Sequence, residues 1–377
     1  MEINKKKLKN IATELHEILF ILDPDYNINR EEKSHMSESS FLVGIDLGTS
    51  RSVIIAEDGK KAYVESVVGW PSDIIGIKVI GKAVVFGQEA IENRESLDLC
   101  YPLSDGVIKE GVGRDLEAVE ELINHLLSLV GASDRNDVCA VIGVPARASV
   151  QSKKILLEVA KKCINEVMLI SEPFSVAYKE EKLCNSIVVD IGAGTTDLCA
   201  MKGRIPDEKN QVTIKKAGNS VDDVLLKALL ERYPDTQVTI NIVKRLKEQY
   251  GTVMKPKDPI VVKMRVAGKL QAHDITDEIV ESCSLIVPNI IEELEKLIIG
   301  YDPDFMEAAM SNIILAGGMS GIKGLDELIE QDLAEYGDVK VHITGDQLYT
   351  GAEGALMLGK DIPVKFWKQL GELSEDS

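Results

Sequence analysis

From Phe41 onward, two textures of apolar residues alternate along this chain: short unbroken runs rich in β-branched residues, and longer stretches in which apolar residues recur at helical spacing. The runs Phe41-Leu42-Val43-Gly44-Ile45 and Ser186-Ile187-Val188-Val189 predict buried strands, and so do 138–144, 167–170 and 312–316. Helical spacing predicts helices over 115–130, 149–163, 222–232 and 242–250, one running from Pro173 towards the second strand, and a long amphipathic helix over 278–299. Between 53 and 86 the glycines Gly59, Gly69, Gly76 and Gly81 mark turns in a strand-rich segment, which predicts a small flap or subdomain. The strand-like stretch 259–266 falls in a second inserted subdomain. Strands alternating with helices on either side predict a mixed α/β sheet covered on both faces.

The first 40 residues read as an addition to this plan. Leu8, Ile11, Leu15, Ile18, Leu19 and Leu22 share a helical face, Lys5, Lys6, Lys7 and Lys9 stand largely elsewhere, and Asp23-Pro24 ends the pattern. The expectation is a short amphipathic helix and a polar linker, docked on its own domain or on a neighbouring subunit. The lysines near Ile18-Leu19-Phe20-Ile21-Leu22 leave contact with a membrane surface open as the other reading. Ser34-His35-Met36 resembles a cloning junction, so part of this arm reads as foreign to the fold.

At 377 residues, 45% hydrophobic and 28% charged, the chain has room for two cores with a cleft between them. A formal charge of −19 opposes nucleic acid as a partner, because the phosphate backbone would be repelled. The six cysteines are scattered, without C-x-x-C spacing, and read as reduced core residues of a cytoplasmic protein. No run reaches the ~18–20 apolar residues of a membrane span, and the start lacks the pattern of a signal peptide.

Chemistry enters where two stretches say nearly the same thing. Val43-Gly44-Ile45-Asp46-Leu47-Gly48-Thr49-Ser50 and Val188-Val189-Asp190-Ile191-Gly192-Ala193-Gly194-Thr195-Thr196-Asp197 each end an apolar strand in an Asp and turn through glycine into hydroxyl residues. Glycine lets the backbone turn tightly and bring its N–H groups to phosphate oxygens, and Thr and Ser add hydroxyl donors. A carboxylate cannot favourably touch phosphate, so Asp46 and Asp190 point to a hydrated Mg²⁺ that the phosphates also hold. One copy alone is equally well explained as an ordinary turn after a strand. Two copies, with a third glycine-rich turn at Gly317-Gly318-Met319-Ser320-Gly321, predict a duplicated unit whose loops grip one nucleotide, ATP or ADP, from both sides of a cleft. Glu172, placed after a short strand and fixed by Pro173, is the candidate to accept a proton or hydrogen bond from water attacking the γ-phosphate. It also reads as a helix N-terminal acid complementing the dipole. Arg51, beside the first loop, is expected to point to solvent or an interface.

These loops, the turn Ile313-Ile314-Leu315-Ala316-Gly317-Gly318 and their order resemble the superfamily of actins, heat-shock chaperones and sugar kinases. Tyr101-Pro102-Leu103-Ser104-Asp105-Gly106-Val107-Ile108, Val141-Ile142-Gly143-Val144-Pro145-Ala146-Arg147-Ala148 and Ser171-Glu172-Pro173-Phe174 resemble the magnetosome-associated bacterial actins, with the cell-shape actins more distant. The resemblance runs from about Phe41 to the end, through Phe366-Trp367-Lys368-Gln369-Leu370-Gly371. It implies a two-lobed, actin-like (ribonuclease H-like) α/β ATPase fold with a nucleotide cleft between two duplicated domains. The first would cover 41–185 with a small subdomain about 53–100, the second 186–360 with one about 221–277, and the tail 361–377 would pack back on the first.

Residue by residue, the resemblance implies that Asp46, Gly48, Thr49 and Ser50 form the first phosphate loop and Asp190, Gly192, Gly194, Thr195 and Thr196 the second. Asp190 would anchor Mg²⁺ through water and act with Glu172 in hydrolysis. Gly317, Gly318 and Met319 would approach the adenosine, and the pair Lys247 and Glu248 the nucleoside. Met319 departs from the small or hydroxylated residue often found there, although a Met packs well on an adenine face.

The implied function is an ATP-hydrolysing filament of identical subunits stacked head to tail, positioning or segregating magnetosomes with other magnetosome proteins as partners. The fold by itself does not choose this role. A sugar kinase needs a base for its acceptor hydroxyl, and no residue beyond Glu172 stands out; a chaperone needs a substrate domain, yet only about fifty residues follow Gly324. A non-polymerising, ATP-dependent adaptor or scaffold is the remaining alternative.

Overall fold

The computed structural model describes residues 40–109, 113–363 and 367, so the expected N-terminal helix, and the tail beyond 363 apart from Trp367, lie outside the described residues. The first half opens on β1 (Phe41–Leu47), β2 (Arg51–Ala56) and β3 (Lys61–Glu65). A small subdomain follows, made of β4 (Val68–Pro71), α1 (Ile74–Ile80), β5 (Val85–Phe86), α2 (Gly87–Glu92) and β6 (Leu97–Cys100). A hairpin of β7 (Leu103–Ser104) and β8 (Val107–Ile108) leads to α3 (Gly113–Leu129), β9 (Val138–Val144), α4 (Val150–Ala160), β10 (Glu166–Ser171) and α5 (Glu172–Lys179). The main sheet has the order β10-β9-β1-β2-β3, with β1, β9 and β10 parallel and the β1-β2-β3 meander antiparallel. Every residue of β9 is buried, as its unbroken apolar run requires of a strand covered on both faces.

The second half repeats the five-stranded main sheet strand for strand. It runs through β11 (Cys184–Ile191), β12 (Thr196–Lys202), β13 (Gln211–Ile214), α6 (Gly218–Arg232) and α7 (Ile240–Tyr250) to a hairpin of β14 (Val261–Val266) and β15 (Lys269–Asp274). Then come α8 (Thr276–Ser284), α9 (Val287–Ile299), α10 (Pro303–Met310), β16 (Ile313–Ala316), α11 (Leu325–Asp332), β17 (Val341–Ile343) and α12 (Thr350–Asp361). Its sheet order, β13-β12-β11-β16-β17, has the same pattern of directions, so β11 corresponds to β1, β16 to β9 and β17 to β10.

Two expectations about elements need correction. The single helix over 278–299 is two, α8 and α9, because Pro288 near the start of α9 has no N–H to continue the ladder. The flap contains a helix, α1, hidden by its β-branched residues. Asp73 makes it helical by accepting the Gly76 N–H at 2.8 Å, and Gly81 ends it in the left-handed region at φ 68. After β16 the chain turns through Gly317 to Gly321, and α11 begins only after Gly324.

Each sheet has its own core, and a third cluster joins them. Helix α12, from the end of the chain, packs on β1 and β9 of the first sheet and against α5, which itself touches β11 and β12 of the second. The approach is close: a Cβ on Gly44 would lie 2.6 Å from the Leu356 nitrogen, and one on Gly354 2.6 Å from the Ser175 carbonyl carbon. Trp367 is fully buried in this cluster and donates its indole N–H to the Gly359 carbonyl at 3.2 Å. No helix among the described residues is long and apolar enough to cross a membrane.

Candidate functional site

The duplication brings the two strand-end loops face to face. Asp46 leaves β1 and Asp190 leaves β11 at equivalent places, and both carboxylates line one cleft with Glu172, Thr49, Thr195 and the turn at Gly317. The first loop is held from behind: Ser66 donates to the Gly48 carbonyl at 2.6 Å and pairs with Ser52 at 2.8 Å. The Thr49 hydroxyl accepts the Gly106 N–H at 2.8 Å, which ties the β7–β8 hairpin to the loop. The second loop is tied to the start of α6, where Gly218 and Asn219 donate to the carbonyls of Gly192 and Ala193 at 3.1 and 2.8 Å. The loops touch where Gly194 passes, since a Cβ there would strike the Thr49 hydroxyl and lie 2.9 Å from the Asp105 Cα. Gly317 has φ 78, and a side chain on it would run into the Asp190 carboxylate.

Nearly all the expected site residues meet in this cleft: Asp46, Gly48, Thr49, Ser50, Glu172, Asp190, Gly192, Gly194, Thr195, Lys247, Glu248, Gly317, Gly318 and Met319. Thr196 is the exception and corrects the expectation. It opens β12, is fully buried, and donates its hydroxyl to the Lys216 carbonyl at 3.0 Å, because neighbouring residues of an extended chain face opposite sides. Arg51 is a second correction. It lines the cleft and reaches across it to Glu248 at 2.6 Å, joining the two halves of the molecule.

Several cleft residues escaped the sequence reading, Lys244 and Asp222 among them. Lys247 is buried and clamped by the Asp222 carboxylate and the Gly218 carbonyl, each at 2.8 Å. Lys244 reaches the Ser50 hydroxyl at 3.4 Å. Lys244, Lys247 and Glu248 stand three and four residues apart on α7, so helical spacing from the expected pair was the available signal for Lys244. Asp222 carried no such signal, for one acid near a helix start is usually a solvated residue.

Beneath the cleft, Asp197 joins the halves. Paired with Asp190 across β11 and β12, it accepts the Ala146 N–H from the end of β9 at 2.8 Å and the Thr213 hydroxyl at 2.5 Å.

Crowding of acids governs the electrostatics. Burial pushes Asp46 up to about 6; burial first, then Asp46 and Asp197, push Asp190 up to about 8. Burial, followed by repulsion from Asp46, Asp197 and Asp190, raises Glu172 well above the usual carboxylate range. Burial also raises Asp222, against the opposing pull of Lys247. Backbone N–H groups and hydroxyls on both walls suit phosphates, and a floor of reluctantly ionised carboxylates suits a divalent cation.

Known proteins resemble this chain in sequence and fold. The MreB/Mbl protein family model matches residues 40–364. The actin-like protein MamK of Paramagnetospirillum magneticum is 41% identical over 343 residues, which cover 91% of this chain and 99% of that protein. A solved MamK double helical filament is 42% identical, with a TM-score of 0.83, over 86% of this chain and 99% of that one. A non-polymerising MamK mutant bound to AMPPNP is 41% identical, with a TM-score of 0.67, over 86% of this chain and all of that one. This chain therefore belongs to the MreB/Mbl family of bacterial actins, among its MamK-like members.

Proposed function

We propose that this protein is an ATP-binding and ATP-hydrolysing actin that polymerises head to tail into dynamic cytoplasmic filaments, and that these position or segregate magnetosomes together with magnetosome-associated proteins. The observation that carries the reading is the pair of duplicated loops facing each other across one cleft, with Asp46, Asp190 and Glu172 between them. It is supported by the likeness to a MamK filament and to a MamK mutant bound to an ATP analogue. The same likeness disfavours a non-polymerising adaptor.

Phosphates would be cradled by the backbone of Gly48 to Ser50 and of Gly192 to Thr195, with the hydroxyls of Thr49 and Thr195 as further donors. Gly317, Gly318 and Met319 would wall the adenosine end, and Glu248 would meet the ribose. Lys247 positions this wall from behind, since its ammonium is already spent on Asp222 and Gly218. Asp46 and Asp190 fit a Mg²⁺ ion, because burial raises both carboxylates, Asp190 further through repulsion from Asp46 and Asp197, and a cation relieves that cost. The ion would supply charge neutralisation for the phosphates and lower the cost of ionising the carboxylates around it. Glu172, once ionised, orients the attacking water and takes its hydrogen bond or proton. A triphosphate held by both loops ties the halves together, and loss of the γ-phosphate releases that tie.

Light scattering and sedimentation with Mg-ATP, Mg-ADP or no nucleotide, run beside Glu172→Ala, test this reading. Wild type is expected to assemble with ATP and later disassemble, while Glu172→Ala assembles and persists with phosphate release slowed by about 10²-fold or more. Nucleotide binding without pelleting at any concentration would leave the filament reading without support.

A further inference from the structure

Three cations line the cleft, and two of them are already spent. Arg51 is held by Glu248 at 2.6 Å, and Lys247 by the Asp222 carboxylate and the Gly218 carbonyl, each at 2.8 Å. Lys244 is the third. It is half-buried on α7, one turn before Lys247 and Glu248, and its ammonium reaches only the Ser50 hydroxyl, at 3.4 Å. That length is the outer limit of a hydrogen bond. Among the described residues no carboxylate stands within ion-pair distance of Lys244. Burial pushes its ammonium below the ordinary lysine range; Asp222 and Glu248 pull the other way from farther off, and Lys247 and Arg51 add repulsion. A half-buried ammonium without an acid beside it costs free energy until an anion arrives.

The contact with Ser50 says where that anion would lie. Ser50 belongs to the first phosphate loop and is itself fixed, since its carbonyl accepts the Ser66 N–H at 2.9 Å. It follows Thr49, where Gly194 brings the second loop against the first, and it precedes Arg51, whose partner Glu248 belongs to the wall for the nucleoside. Along the loop, Lys244 thus falls between the meeting point of the two loops, the side of the γ-phosphate, and the nucleoside wall. The phosphates next to the nucleoside occupy that stretch.

We propose that Lys244 binds the α- and β-phosphates of the nucleotide, its ammonium reaching from the second half over Ser50 to phosphate oxygens that ATP and ADP share. This rests on the nucleotide reading of the cleft and assigns within it a cation that the fold leaves without an acid. A lysine ammonium is a compact charge with three donors, so it takes a phosphate oxygen without giving up the Ser50 hydroxyl. The contact crosses the cleft and does not involve the γ-phosphate. It therefore survives hydrolysis and keeps ADP seated, while the tie made through the γ-phosphate is lost.

The test uses the full chain at concentrations too low to pellet. Mg-ATP, Mg-ADP and adenosine compete against a fluorescent ATP analogue whose own affinity is measured for each variant. Lys244→Met should weaken Mg-ATP and Mg-ADP alike, by about tenfold to a hundredfold, as loss of a hydrogen bond to a charged group predicts. Adenosine should stay within about twofold, because it has no phosphate to lose. Lys244→Arg, which keeps the charge, should recover most of the loss. Without nucleotide, Lys244→Met should melt no lower than wild type, since it removes a cation that no acid supports. Equal affinities of wild type and Lys244→Met for both nucleotides overturn the proposal. A loss confined to Mg-ATP also overturns it, by placing the ammonium at the γ-phosphate, and so does a loss that includes adenosine with a lower melting temperature, which means a distorted cleft. If wild type binds neither Mg-ATP nor Mg-ADP, the nucleotide reading itself fails and this contact with it.

Discussion

Asp46, Glu172 and Asp190 are acids that the folded protein ionises reluctantly, which gives the site a proton linkage. With folded values of about 6 for Asp46 and about 8 for Asp190, both lie above the unfolded carboxylate value of about 4. Between those limits the folded state holds more protons than the unfolded one, so this contribution to stability is present at low pH and is lost as pH rises through 6 and then 8. The nucleotide-free protein should therefore melt at a lower temperature at about pH 8.5 than at about pH 6. Mg-ADP should flatten that slope and release about one proton on binding near pH 7, read by calorimetry in buffers of different ionisation enthalpy. Binding without proton release would show that the cluster is already ionised. Asp46 and Asp190 were legible because strand, Asp, glycine and hydroxyl form a local motif. Thr196 was misread because the motif does not say which of two adjacent hydroxyls faces the cleft, and Asp222 was missed because only tertiary packing brings it to Lys247.

At the scale of elements, α12 is the piece on which the joint between the sheets depends. It reaches α5 and β1 only because Gly354 and Gly44 have no side chains. Gly354→Ala should cost about 1–3 kcal/mol in urea unfolding, since backbone faces the new methyl and cannot step aside as a side chain would. Gly345→Ala, where a Cβ meets nothing within 4 Å, should stay within about 0.5 kcal/mol. Equal effects would mean that the α12 contact yields. Long apolar strands such as β9 were legible to the residue, because burial on both faces leaves no polar position. Helix α1 and strands β15 and β17 were not, since they are short: one has β-branched residues in a helix, and the others are largely polar or exposed. Capping by Asp73 and pairing with neighbours decide such segments more than composition does.

At the scale of the whole molecule, the duplication makes two similar halves and the cleft between them, and a few side chains cross it. Asp197 with Ala146 is the buried joint, while Arg51 with Glu248 is an exposed clasp at the mouth, its side chains 39% and 51% accessible. An exposed ion pair is worth about 0–1 kcal/mol, so the clasp contributes little to folding. Its position lets it act on rates, because nucleotide entering or leaving must pass the mouth that it closes. Arg51→Ala should leave the melting temperature nearly unchanged and speed release of a bound fluorescent ATP analogue by about two- to fivefold, the range that such a pair can supply. Raising salt to about 0.5 M should speed wild type towards the variant and leave the variant less affected, since screening weakens the pair. Stopped-flow displacement measures both. Equal release rates at low salt would mean that the mouth opens without breaking Arg51 from Glu248, and that lobe opening is limited instead by the buried joint at Asp197.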